Sequence, residues 1–249
     1  MTQDHTKLAV YNNAVWCATV CGAHGWPGEF HAEIWINGCA SLPYYPNAVT
    51  LTAQDAATQL EQIRQLDGTG LTEGWAVKDS FALLDLIPLG YQPLFEATWI
   101  YRAATHSQIS DPLPNVRWRK VLNVVELEAW ENAWRGAPVD ESAEQPSRLF
   151  LPALLADPQV AFLAAYEQER LVAGAIANRT GAVVGLSNLF VPTENSPRWW
   201  ASCVAAVSAL FPDLPLVGYE RGDDLNFAQS AGFSALAPLR IWLKARAGV

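Results

Sequence analysis

Cys17, Cys21 and His24 fall at i, i+4 and i+7 of one apolar stretch, and with His31 or Cys39 they could surround a zinc ion, which takes N and S ligands tetrahedrally. Such sites are usually built from paired short-spaced ligands in a knuckle, so buried helix cysteines beside a polar histidine are the plainer reading, and no metal is expected. A cysteine nucleophile with His24 as base is weaker still, because the seventh residue on lies two turns along a helix. Asp79, Ser80 and Asp85 invite a hydrolase reading, yet no histidine lies near them in sequence, and an aspartate before Ser80-Phe81 reads as a helix start. Arg117, Arg119 and Lys120 alternate with Trp118 like one solvated strand face, with a phosphate site as the sharper alternative. Tyr219 and Glu220 end an apolar run in which side chains alternate between two faces. One of them could serve as acid or base in a cleft; a packed ring and a solvated glutamate are the bland alternative.

The elements that would position these groups follow from hydrophobic period. Residues 9–23 and 53–66 read as helices, 33–37, 48–52 and 75–78 as strands, 80–86 as a short helix and 94–101 as a strand. Thr52 with Asp55 three residues on resembles a capping box. The stretch 105–114, THSQISDPLP, has the turn formers and prolines of a linker. Beyond it come a strand at 117–121, helices at 125–135 and 149–155, and strands at 160–166, 173–177 and 183–190. A helix at 197–211, a strand at 216–220, a helix at 224–231 and a strand at 236–244 complete the order. The polar run 136–147 reads as a solvated loop. Alternation of this kind specifies an α/β chain with a mixed sheet. The expected domains are 1–104, abbreviated, and 115–249, whole, joined by 105–114.

Composition narrows the partners. With 51% hydrophobic and 16% charged residues the chain is globular, and 249 residues allow two domains that each bury a core. A formal charge of −9 with scattered basic residues argues against nucleic acid. Trp75, Trp99, Trp118, Trp130, Trp134 and Trp242 therefore read as core or interface anchors rather than as a base-stacking platform. Four unevenly placed cysteines and no signal-type apolar region at the start point to a reducing cytoplasm. No stretch approaches the ~20 apolar residues of a membrane span.

The two halves share a pattern. Residues 86–94 and 228–236 superpose at one offset, so that Gly90-Tyr91 meets Gly232-Phe233, Leu94 meets Leu236, Ile100 meets Trp242 and Arg102 meets Lys244. In each copy glycine closes a helix and an aromatic enters the next strand, which is the mark of a duplication.

Residues 183–191, 197–211, 216–220 and 226–242, a strand, a link, a helix, a strand and a short helix ending in Gly-Phe before a last strand, resemble the close of the GCN5-related N-acetyltransferase (GNAT) fold. The resemblance covers most of the second half and reaches the first half only through the repeat. It implies two splayed strands with the pantetheine of acetyl-CoA, or another acyl-CoA, in the gap, and the pyrophosphate on the amides that start the next helix. Carried onto this chain, Leu189, Phe190 and Val191 form the pantetheine strand and 217–220 the opposing one. Asn195, Ser196 and Arg198 are the phosphate contacts, and Tyr219 and Glu220 are the catalytic candidates. The segment 191–202 departs from the family in having no glycine. Pro197 has no N–H, the Ser196 oxygen competes for another amide, and Arg198 is left to supply a point charge. Trp200 stands near a family glycine position and would fill the phosphate seat if it turned that way. The acid tyrosine the family often carries four residues before Gly-Phe is Ala228 here and Leu86 in the first copy. The implied activity is acyl transfer to a small-molecule or peptide amine. The alternative is a binding or assembly module that kept the fold after losing the phosphate loop.

Overall fold

Asp4 starts the first element by accepting a hydrogen bond from the Lys7 N–H at 3.3 Å, and α1 (His5–Ala23) follows. Val10, Ala14, Cys17 and Cys21 recur at helical spacing along it and are buried as one stripe. The computed structural model describes residues 4–39, 42–66, 75–104, 113, 115–136 and 147–244, which group into two compact units: Met1–Trp99 with Leu236–Val249, and Ile100–Ala235. Most of the expected linker 105–114 and of the loop 136–147 lies outside the described residues.

In the first unit α1 is followed by β1 (Glu29–Phe30), β2 (Ile34–Ile36), β3 (Ala48–Thr50), α2 (Ala56–Leu66), β4 (Trp75–Asp79) and β5 (Gln92–Arg102) up to Trp99, with β11 (Ser234–Lys244) from Leu236 onward. The strand order is β1-β2-β3-β4-β11-β5. β3 and β4 are parallel, Ala48 opposite Val77, whereas β11 is antiparallel to β4 with Trp242 opposite Val77. Ile34, Ala48, Ile63, Leu86, Tyr91 and Trp242 share the core of this unit.

The second unit contains β6 (Val116–Lys120), α3 (Val124–Arg135), α4 (Ala153–Ala156), β7 (Val160–Glu167), β8 (Arg170–Thr180), β9 (Val183–Phe190), α5 (Ser196–Leu210), β10 (Leu216–Glu220) and α6 (Gly222–Ser230). Its order is β5-β10-β9-β8-β7-β6, an antiparallel meander from β6 to β9 followed by the parallel pair β9 and β10. At the head of α3 the Asn123 Oδ1 accepts from the Glu126 N–H at 2.9 Å, and Glu126 Oε2 accepts from the Leu122 N–H at 2.9 Å, a reciprocal cap. Trp130 on α3 is fully buried among Phe150, Phe162 and Phe190, with ring centroids 5.7, 5.2 and 5.3 Å away.

Glu131, 1% exposed, accepts from the Arg135 Nε at 3.0 Å, from the Leu149 N–H at 2.9 Å and from the Phe150 N–H at 3.3 Å. Glu131→Ala strands two amides and a guanidinium, so we expect a loss of about 3 kcal/mol, read as a lower urea midpoint at unchanged slope.

Several expectations are corrected. Residues 80–86 are a turn, not a helix, because the Asp79 carboxylate accepts from the Leu84 N–H at 2.8 Å and the Phe81 N–H at 3.4 Å; one 3-10 turn, Ile87–Leu89, follows. The expected helix at 149–155 shortens to α4 because Glu131 takes the first amides. Thr52 makes no capping box: its hydroxyl donates to Gln54 O at 3.0 Å. The last strand, β11, pairs with β4 from Arg240–Asp79 to Lys244–Trp75.

Each copy of the repeated Gly-aromatic pair closes in the same way. Gly90 (φ 82°) donates to Ile87 O at 2.9 Å and Tyr91 to Leu86 O at 3.2 Å; Gly232 (φ 93°) donates to Gln229 O at 2.9 Å and Phe233 to Ala228 O at 3.1 Å. A left-handed residue is required at both positions, which glycine adopts without a Cβ penalty.

Candidate functional site

β9 and β10 run together only briefly. Val184 lies opposite Leu216 and Gly185 opposite Val217, and there the ladder ends although β10 continues to Glu220 and β9 to Phe190. A bulge accounts for part of this: Ile176 of β8 faces Ser187 and Gly174 faces Phe190, and Asn188 takes up the extra residue at φ 51°. Leu189, Phe190 and Val191 thus lie beyond the ladder on one strand, and Tyr219 and Glu220 beyond it on the other. The Phe190 ring packs on Trp130, and Val191 packs with Trp199, Ala165 and Ala173.

At the head of α5 the N-cap is Asn195, in the left-handed region and without a side-chain capping bond. Its carbonyl accepts from Arg198 N at 2.9 Å and from Trp199 N at 3.3 Å. Ser196 does not cap: its hydroxyl points back at the Thr193 and Pro192 carbonyls, 3.0 and 3.2 Å away. With Pro197 lacking an N–H, the first turn has fewer amides for an anion than a glycine loop would present. Arg198 is exposed at this turn. Trp200, 1% exposed, lies inside the core with Val204, Ala228 and Phe233, so it does not occupy a phosphate seat.

Leu216, two residues before Gly218 and four before Glu220, belongs to the same core as Trp200 and Ala228, so alternation turns Glu220 toward α6 and Tyr219 to the other face. Gly218 is required here, since a Cβ would stand 2.8 Å from Leu186 O. Glu220 is half-buried, and among the described residues it has neither a hydrogen bond nor an ion pair. Burial, and second the charge of Asp224, push its carboxyl up to about 8. Sequence reasoning singled out Glu220 but not Asp224, which stands in the first turn of α6 while Glu220 ends β10, so their proximity is set by the turn between the two elements.

In the first unit the segment from β3 to α2 is tied down by Gln59, 3% exposed, whose Nε2 donates toward Thr52 O at 2.9 Å and Gln54 O at 3.1 Å. The other candidates are absorbed into structure. Burial raises the Cys17 thiol and takes Cys21 to about 12, so neither is a thiolate, and His24 stacks on Trp26 at 5.9 Å. No group of three metal-ligating side chains occurs among the described residues. Arg117 pairs with Glu169 at 2.8 Å, and Arg119 lies over the Tyr166 ring at 4.1 Å. Among the described residues no helix is long and apolar enough to cross a membrane.

No family model and no curated protein matches the chain. Solved structures do. A functionally unknown conserved protein from Staphylococcus epidermidis is similar at TM-score 0.61 and 12% identity, over 88% of this chain and 93% of that one. A GCN5-related N-acetyltransferase from Kribbella flavida aligns at TM-score 0.59 and 15% identity, over 94% and 96%. Another, from Sphaerobacter thermophilus, aligns at TM-score 0.53 and 14% identity, over 81% and 73%.

Proposed function

We propose that this chain, which has the fold of the GCN5-related N-acetyltransferases, moves an acyl group from acetyl-CoA or another acyl-CoA to an amine, small or peptidic, in the cytoplasm, and that the second unit does the chemistry. The observation that carries the reading is Glu220, an unpartnered carboxyl at the parting of β9 and β10 whose pKa of about 8 keeps it protonated at neutral pH. The tyrosine that the resemblance calls for is Ala228 here, buried in the core, so the acid must come from elsewhere. Glu220 is the general acid: the amine nitrogen attacks the thioester carbonyl, the C–S bond breaks, and the carboxyl proton goes to the departing thiolate. The carboxylate then recovers a proton that the newly acylated nitrogen gives up through solvent. Tyr219, on the opposite face of β10, borders the acceptor side. Backbone groups of Leu189, Phe190 and Val191 hold the pantetheine. The Asn195–Ser196 start of α5, with Arg198 as the added cation, holds the pyrophosphate. The first unit, with Gln59 bonded into the segment from β3 to α2, is a duplicated half that binds no second acyl-CoA.

One observation favours the second reading, a non-catalytic module: the Arg198 and Trp199 amides are already bonded to Asn195 O, and Pro197 has none. A thermal-shift titration separates the two. Acetyl-CoA raises the melting temperature progressively, the stabilisation growing as RT ln(1 + [L]/Kd), and Arg198→Glu raises the concentration needed for a given shift about tenfold or more. No shift at millimolar acetyl-CoA would establish the non-catalytic module.

A further inference from the structure

We propose that the first unit carries a second, separate ligand site, for a small planar organic cation such as an amidinium or an aromatic amine. A cleft of about 560 Å³ opens at the C-terminal end of α2, with Trp26, Glu29, His31, Cys39, Gln62 and Leu66 among its walls. That volume lies within the range of pockets that enclose small organic ligands. All of its lining residues belong to the first unit, and Gln62, Gln65 and Leu66 stand in the half of α2 beyond Gln59.

The wall opposite α2 is preformed. Gly25 N donates to Gly22 O at 2.9 Å and Trp26 N to Cys21 O at 2.9 Å, which turns the chain out of α1. Trp35 Nε1 donates to Pro27 O at 3.0 Å. Gly28, at φ 70°, sits so close to β2 that a Cβ would be 2.6 Å from Ile36 O. A wall fixed by this many bonds gives up little entropy on binding.

The chemistry of the lining selects a cation. Gln62 Oε1 is buried and has no donor among the described residues, an acceptor that a ligand N–H would satisfy. Glu29 adds a carboxylate, 83% exposed and 3.8 Å from His31 Nε2, where a ligand cation could compete with the imidazole. The last turn of α2 turns its carbonyls toward this end, and the one basic residue of that turn, Arg64, is paired with Glu61 at 3.3 Å. Trp26 offers an indole for a flat cationic face, and Pro27, Ile36 and Leu66 supply apolar contact.

Cys39 gives a built-in reporter, because it lines the cleft and is exposed while Cys17, Cys21 and Cys203 are buried. In the full-length protein, benzamidine slows N-ethylmaleimide labelling of Cys39 saturably, with half-protection at about 1 mM, and benzoate at equal concentration does not. Gln62→Leu and Glu29→Gln each weaken the half-protecting concentration about fivefold, and Glu220→Gln leaves it unchanged. Labelling indifferent to benzamidine overturns the proposal. So does protection that survives both cleft substitutions, or that disappears in Glu220→Gln, which would move the ligand to the acyl-transfer site. The acetyl-CoA titration is read independently, so either proposal can fail without the other.

Discussion

Glu220→Gln lowers kcat for acyl transfer by roughly 10²-fold and leaves acetyl-CoA binding nearly unchanged. Glutamine keeps the shape and the neutrality of the protonated carboxyl, so the cleft is preserved and only the transferable proton is lost. In the native protein kcat/KM falls above pH 8, where the acid ionises, since its carboxyl is pushed up to about 8 by burial first and by Asp224 second. That limb is absent from Glu220→Gln. Asp224→Asn removes the lesser cause and moves the limb to lower pH. A variant with native kcat and a native pH profile would remove Glu220 from the chemistry.

The same group sets a pH-dependence of stability with the opposite sign to that of an ordinary paired carboxylate. Below about 4.5 the carboxyl is protonated in the folded and the unfolded chain alike, and Glu220 has no differential effect. Between 4.5 and 8 the unfolded chain has released the proton that the folded chain keeps, so stability falls as pH rises, and above 8 the penalty is complete. Glu220→Gln therefore melts with the native protein at pH 4 and several degrees above it at pH 9, the gain being on the order of 2 kcal/mol after allowance for partial exposure. A glutamate without a catalytic role would give this stability result too, so only the pH–rate profile decides the chemistry.

The sequence was most informative where period and punctuation agree. β9 and β10 run as 183–190 and 216–220, as their apolar runs specify, and Gly90 and Gly232 take the left-handed conformations that close their turns. Two kinds of information were not local. The Asp79 carboxylate looks like a helix start, but it folds back onto the Leu84 amide, and propensity yields to that buried bond. The partner of β11 is likewise invisible in its own residues: Trp242 reads as a core position, yet nothing near it says that the core is that of Ile34, Trp75 and Tyr91. β1, two residues long, has no period to detect. At the site, the sequence marked Glu220 by its place at a strand end. The burial and the proximity of Asp224 that raise its carboxyl are properties of the folded surroundings. α5 does begin at Ser196, but Asn195 takes the left-handed cap position and the serine hydroxyl goes to the 192–193 carbonyls.

Gly174→Ala destabilises the second unit by about 3 kcal/mol and raises the concentration of acetyl-CoA needed for half-saturation. Gly174 faces Phe190 across β8 and β9, just past the bulge, and a Cβ placed on it would be 2.5 Å from Phe190 Cε1 and nearer still to the Trp130 indole nitrogen. The Trp130 ring, fully buried, has no room to withdraw. Trp130 is held by its Nε1, which donates to Leu163 O at 2.8 Å, and by the rings of Phe150 and Phe162. The displacement must therefore pass into β9, through Phe190, the middle residue of the strand proposed to hold the pantetheine. Phe190→Leu removes the Phe190 part of the clash and leaves the closer contact with Trp130, so the double variant is more stable than the two single losses would sum to, by about 1 kcal/mol. It also recovers part of the acetyl-CoA response. Urea unfolding of the four proteins with and without acetyl-CoA measures both effects. Additive losses would show that the rings yield without moving the strand. A ligand response insensitive to Gly174→Ala would separate this core from the cleft.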